Sequence, residues 1–160
     1  ALETYRDINS ALRTENASTL IQNKSYICHL DKALKKYQFR GLLLYRGHNN
    51  LDTNSLRIGS TFISKAYTST SIDRMTAVNF AATNEPYVLD VIHADQYTYG
   101  LWLNPISEFP EEEILLPRNL TFRILKVTHF QYLNKTITQR HLEIVSETRS
   151  PKTDSILQCP

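Results

Sequence analysis

Three separated segments of this 160-residue chain carry side chains able to do chemistry on an anionic substrate. In Leu44-Tyr45-Arg46-Gly47-His48 an arginine ends an apolar run and a glycine follows it. A guanidinium there can fork onto a phosphate, and a glycine lets a ligand approach the backbone closely. The plainer reading of Arg46 is an ion pair at a strand end. In Tyr67-Thr68-Ser69-Thr70-Ser71 four hydroxyls follow an aromatic ring. Strand alternation sends Ser69 and Ser71 to one face, where a hydroxyl can orient a carboxylate or touch a ribose. A Ser/Thr-rich strand edge is the alternative. In Phe109-Pro110-Glu111-Glu112-Glu113-Ile114-Leu115-Leu116-Pro117 three acids enter an apolar strand. Glu111 and Glu113 should share a side about 7 Å apart, close enough to serve one reacting centre in different roles. Glu113 abuts residues that bury, and desolvation is what makes a carboxylate useful. Against this stands a solvated acidic turn.

The elements that must position these groups follow from hydrophobic periodicity. Residues 1–40 read as helical, with Leu2, Tyr5, Ile8 and Leu12 on one face and Ile27, Leu30, Leu34 and Tyr37 on another. Residues 42–45 form a short buried strand, and 62–71 form a second that ends polar. Asp73 caps a short helix whose apolar positions are Met75, Ala77, Val78 and Phe80. Strands then dominate, over 87–93, 100–103, 113–116, 121–129 and 141–145. Helices first and about six strands after predict an α+β class with a curved or split sheet, in a single domain from 1 to 160.

Composition narrows the function. A chain of this length buries roughly 70% of its unfolded surface, enough for a complete enzyme core. Eighteen basic and sixteen acidic residues are interspersed, for a net charge of +2, so no broad field points to nucleic acid or to a membrane surface. Any anion must be held locally. No apolar run approaches the roughly 18 residues of a membrane span, and the missing initiator Met points to a processed product or an excised domain. The five histidines are scattered and the two cysteines lie far apart, which predicts no metal site. Cys28 and Cys159 are either a disulfide tying the tail to an N-terminal helix or two thiols. The histidines, the Lys32, Lys35 and Lys36 cluster and Trp102 read as surface or core.

The order Arg, then Ser-Thr-Ser, then Glu-x-Glu, each on a strand, resembles the Arg-Ser-Glu class of bacterial mono-ADP-ribosyltransferase exotoxins, which includes iota toxin and other actin-modifying toxins. Tyr5, Ile8, Asn9, Leu12 and Arg13 are similar to the Y-x-x-I-N-x-x-L-R pattern of that branch. The resemblance implies the ADP-ribosyltransferase fold, N-terminal helices on a split, mainly antiparallel sheet. It implies NAD as co-substrate and a protein as acceptor, with host actin the leading candidate. Glu113 would hydrogen-bond the nicotinamide ribose with Ser69 holding it in position, Thr70 would contact NAD, and Arg46 and Arg13 would grip the diphosphate. Asn9, the Gly47 backbone and Phe80, eleven residues after Ser69, complete the expected NAD contacts. Glu111 would accept the proton of an incoming arginine. A secreted or translocated toxin with a larger parent or a delivery component is the implied setting. The alternatives are an NAD glycohydrolase and a catalytically inactive NAD-binding or docking module.

Overall fold

The computed structural model describes residues 2–50, 56–94, 98–103 and 113–160, with side chains from Tyr5 onward. Three helices open the chain: α1 (Leu2–Thr14), α2 (Ala17–Gln22) and α3 (Lys24–Leu34). Asn16 begins α2 by accepting the Thr19 N–H on its side chain, which satisfies a donor that the first turn leaves orphaned. Of the expected apolar stripes, Ile8, Leu12, Ile27 and Leu34 are buried and pack with Leu20, Tyr67 and Leu115 into one core, Tyr5 and Leu30 are partly buried against it, and Tyr37, past the end of α3, is exposed. A short helix α5 (Pro151–Leu157) adds Leu157 to it. Cys28 of α3 and Cys159 are joined in a disulfide across 131 positions of sequence, so the tail is tied to the helical layer.

Between the helices lie β1 (Gln38–Phe39), β2 (Leu42–His48), β3 (Thr61–Ser64), β4 (Thr68–Ser71), α4 (Arg74–Ala81), β5 (Val88–Ala94), β6 (Thr98–Tyr99), β7 (Leu101–Trp102), β8 (Glu113–Leu116), β9 (Leu120–Tyr132) and β10 (Lys135–Glu147). β1 and β6 form a small ribbon; the other strands form one sheet in the order β3-β9-β10-β5-β2-β4-β8-β7. Among the described residues only β10 and β5 pair in parallel. The α+β class and the mainly antiparallel sheet match the expectation from sequence. Among the described residues no helix is long and apolar enough to cross a membrane.

Several details differ from the sequence reading: β1 falls within the stretch read as helical, the strand begun at Leu42 runs on to His48, and α5 has no counterpart among the expected elements. The single strand expected over 62–71 is two strands on distant parts of the sheet, because β3 pairs with β9 while β4 pairs with β2 and β8. The break between them is held by Asn9, whose side-chain oxygen accepts the Tyr67 N–H at 3.2 Å. The two late strands are one long hairpin, 13 residues on each side, turned by Leu133 and Asn134 at positive φ. That turn lacks glycine, and the first half of β10 is polar, so the hydrophobic signal fell short of the element.

Candidate active site

Sheet order brings the three segments together. β4 lies between β2 and β8, so Arg46, Ser69 and Glu113 come from three neighbouring strands. Arg46 Nη1 donates to the Ser69 carbonyl at 3.0 Å, and the Ser69 hydroxyl donates to Glu113 Oε1. Glu113 is fixed from both sides, since its residue pairs with Ser71 of β4 and its carbonyl accepts the Leu103 N–H at 2.9 Å. A half-buried carboxylate is thus held in one orientation by a hydroxyl two residues along the neighbouring strand.

Arg46 also lines a cleft of about 660 Å³ with Arg13, His48, Asn49, Asn50, Ser64, Lys65, Thr68, Asp90 and Arg140. Burial lowers the Arg46 guanidinium from its ordinary range, the Asp90 carboxylate pulls it back up, and the neighbouring Arg13 lowers it further. Asp90 is buried, which alone would push its carboxyl up. Hydrogen bonds from His48 and Arg140, together with the Arg140 charge, hold it below the usual carboxylate range. Arg13, Arg46, Lys65 and Arg140 against Asp90 give the cleft a positive excess that the interspersed sequence charges conceal. Such a wall suits a diphosphate.

The remaining candidates divide. Arg13 reaches the cleft from α1. Asn9 is buried and occupied by the Tyr67 N–H. Thr70 is buried and donates to the Ile114 carbonyl at 2.6 Å, where it ties β4 to β8. Gly47 sits against α4: a Cβ built there would lie 2.3 Å from the Ala77 carbonyl oxygen and 2.6 Å from the Ala81 nitrogen. The glycine therefore answers first to helix packing. Phe80 is 58% exposed on α4, so it is not a core phenylalanine. Glu111 lies outside the described residues, as does the rest of 104–112.

Sequence reasoning missed four groups around this site. Tyr5 has a buried hydroxyl without a hydrogen-bond partner among the described residues. Burial raises its pKa, the nearby Asn9 side chain lowers it, and the charges of Glu113 and Arg46 both reach it. His48 is no bland surface or core histidine: it lines the cleft and bonds Asp90. Asp90 had a readable signal, a carboxylate in the middle of the apolar run Val88-Leu89-Asp90-Val91-Ile92. Arg140 had none, because it stands in a polar stretch. Among the described residues no cluster of three or more His, Cys, Asp or Glu side chains forms a metal site.

Known proteins share this architecture. Plx2a, an ADP-ribosyltransferase toxin from Paenibacillus larvae, superposes at a TM-score of 0.65 and 21% identity over 91% of this chain and 87% of that one. The enzymatic component C2-I of the Clostridium botulinum C2 toxin gives a TM-score of 0.75 and 18% identity over 91% of this chain but 41% of that one. Vis toxin, an ADP-ribosyltransferase from Vibrio splendidus, gives a TM-score of 0.68 and 28% identity over 89% and 68% of the two chains. No curated protein matches the chain. A family model described as ADP-ribosyltransferase exoenzyme matches residues 2–149 and so takes in all three strands of the site as well as α1. The chain therefore belongs to the bacterial ADP-ribosyltransferase exoenzyme family, whose members use NAD as substrate.

Proposed function

We propose that this chain cleaves NAD at the nicotinamide–ribose bond and transfers ADP-ribose to an arginine of a target protein, acting as a secreted or translocated toxin. The observation that carries the reading is the linked Arg46–Ser69–Glu113 arrangement beside a cationic cleft. As the C1′–N bond breaks, nicotinamide leaves with the electron pair and positive charge develops on the ribose. A fixed carboxylate at that point lowers the barrier, as in glycoside hydrolysis. Glu113 takes this role, and Ser69 keeps it from rotating away. Arg46 and Arg13 bind the diphosphate and fix the leaving group's geometry.

An arginine nucleophile is protonated at any physiological pH, so its nitrogen can attack C1′ only as a proton leaves it. Glu111 accepts that proton. The Glu-x-Glu pair is the feature that favours arginine, and resemblance to the actin-modifying toxins puts host actin first among acceptors. Incubation with labelled NAD and a eukaryotic lysate, followed by mass spectrometry, identifies protein and side chain together. Glu113→Gln should lose both nicotinamide release and labelling, while Glu111→Gln should lose labelling and keep much of the release. A Glu113→Gln variant that retains both activities rules the mechanism out.

A further inference from the structure

Behind Arg46 the cleft wall contains a hydrogen-bonded unit that the proposed cleavage and transfer steps leave unused. Asp90, only 4% exposed, is the residue paired with Arg46 across β2 and β5. Its Oδ1 accepts from Arg140 Nε at 2.7 Å, and its Oδ2 accepts from Arg140 Nη2 at 2.8 Å and from His48 Nε2 at 2.7 Å. On the other side of the imidazole, His48 Nδ1 accepts the backbone N–H of Asn50 at 3.1 Å. An amide N–H only donates, so these bonds select the imidazole that carries its proton on Nε2. Arg140 Nη2, 3.4 Å from the same Nε2, is a second donor sharing Asp90 and not a partner of the ring.

The ring is therefore clamped between β5 and the Asn50 backbone that follows its own strand. Arg46 and His48 stand on one face of β2, as alternation requires, and both line the cleft. Asn49 and Asn50 line it too and are otherwise exposed. Backbone ordered before a ligand arrives removes an entropy cost from binding, whereas it contributes nothing to the barrier for breaking a bond elsewhere.

We propose that His48 is a positioning residue for dinucleotide binding: seated between Asp90 and the Asn50 backbone, it presets the Arg46 face of the cleft and the Asn49–Asn50 backbone to receive the nucleotide. This rests on the cleft being the NAD site. The effect falls on affinity for NAD and leaves cleavage at Glu113 untouched. It also fixes a sign at Asp90. If Asp90 were only a negative charge near an anionic ligand, neutralising it would improve binding; if it holds His48, neutralising it weakens binding.

The test is nicotinamide release over a series of NAD concentrations for wild type, His48→Ala, His48→Gln and Asp90→Asn, with a thermal melt and an NAD calorimetric titration of each. Loss of a bond to a charged group that positions the ligand should raise KM for NAD about tenfold in His48→Ala, with kcat within about threefold of wild type. Gln can donate to Asp90 and accept from Asn50, so His48→Gln should recover most of the lost affinity, and Asp90→Asn should raise KM. The proposal is overturned by an unchanged KM in a folded His48→Ala, by a loss confined to kcat, by a Gln variant as weak as Ala, or by a lower KM in Asp90→Asn. Should His48→Ala not fold, the Gln variant and Asp90→Asn decide alone. If wild type neither binds NAD nor releases nicotinamide, the reading of the cleft fails first and takes this proposal with it. If wild type does both while the variants match it, this proposal alone fails.

Discussion

Gly47→Ala isolates the contact between α4 and β2. Ordinarily a glycine-to-alanine change at a strand residue without positive φ stabilises a protein by about 0.4–1 kcal/mol, because the unfolded chain loses freedom. Here the added Cβ would meet two backbone atoms of α4 at 2.3 and 2.6 Å, against an ordinary contact of 3.4 Å or more. Neither atom belongs to a flexible side chain, so the helix must lift by about 1 Å or the strand must bend. Overpacking of this kind costs about 1–3 kcal/mol, and a clash with backbone on two sides belongs at the upper end. For a chain of this size that is a fall in Tm of about 6–12 °C. Urea unfolding measures the free energy, and nicotinamide release at saturating and limiting NAD measures the site. Activity should fall with stability, because Arg46 precedes Gly47 on the displaced strand. A variant as stable as wild type, or more stable, would refute the packing argument. If such a variant lost only NAD affinity, the glycine would be serving ligand approach instead.

Reduction of the disulfide, or Cys28→Ser, opens a loop of 131 positions and should cost about 2–5 kcal/mol, read as a lowered urea midpoint with and without reductant. Burial and the neighbouring Asp31 carboxylate raise the Tyr67 pKa far above its ordinary value. Its contribution to stability is therefore full below pH of about 10 and is lost as pH rises beyond that, so alkaline melts of Tyr67→Phe should decline less than those of wild type. His141 has its pKa lowered by burial, by His93 at 2.9 Å and by Lys126. A depressed histidine favours the folded state above about pH 6.5 and loses that contribution as pH falls, so His141→Gln should flatten the acid limb of a Tm-against-pH curve.

The legible part of the molecule was the part where local pattern and tertiary demand agree. Ile8 and Leu12 of the α1 stripe, Ala77 and Val78 of the helix that Asp73 caps, Leu44 of strand 42–45 and Ile114, Leu115 and Leu116 of strand 113–116 are buried as their spacing selects, whereas Leu43, Met75 and Phe80 are exposed. The three chemical segments could be found because each couples a polar side chain to a strand end. What stayed hidden depends on partners distant in sequence. Thr70 and Ser69 are neighbours of the same hydroxyl class, yet one bonds the Ile114 carbonyl and the other Glu113; alternation separates them, but only the β4–β8 register says which face holds the acid. Arg140 becomes a buried cation only because a parallel pairing places it beside Asp90, 50 residues earlier. Gly47 looked like a ligand's glycine because sequence cannot show that a helix backbone arrives at the same spot.

The division of the sheet explains why one arginine is asked to do two things. On one side of the site the cationic wall is built on β2, β5 and β10, joined through long runs of paired residues. On the other, the hydroxyl and the acid sit on β4 and β8, which pair along their whole described length. The two halves meet at a single paired position, Tyr45 with Ser71. A joint that short resists shear poorly, since it lacks the successive backbone bonds that lock a register. The bond from Arg46 Nη1 to the Ser69 carbonyl lies beside that joint and bridges it. The side chain proposed to hold the diphosphate thus also sets the distance from the binding wall to the acid. A lysine at this position would keep the charge but surrender the planar fork that serves a carbonyl with one edge and a phosphate with another.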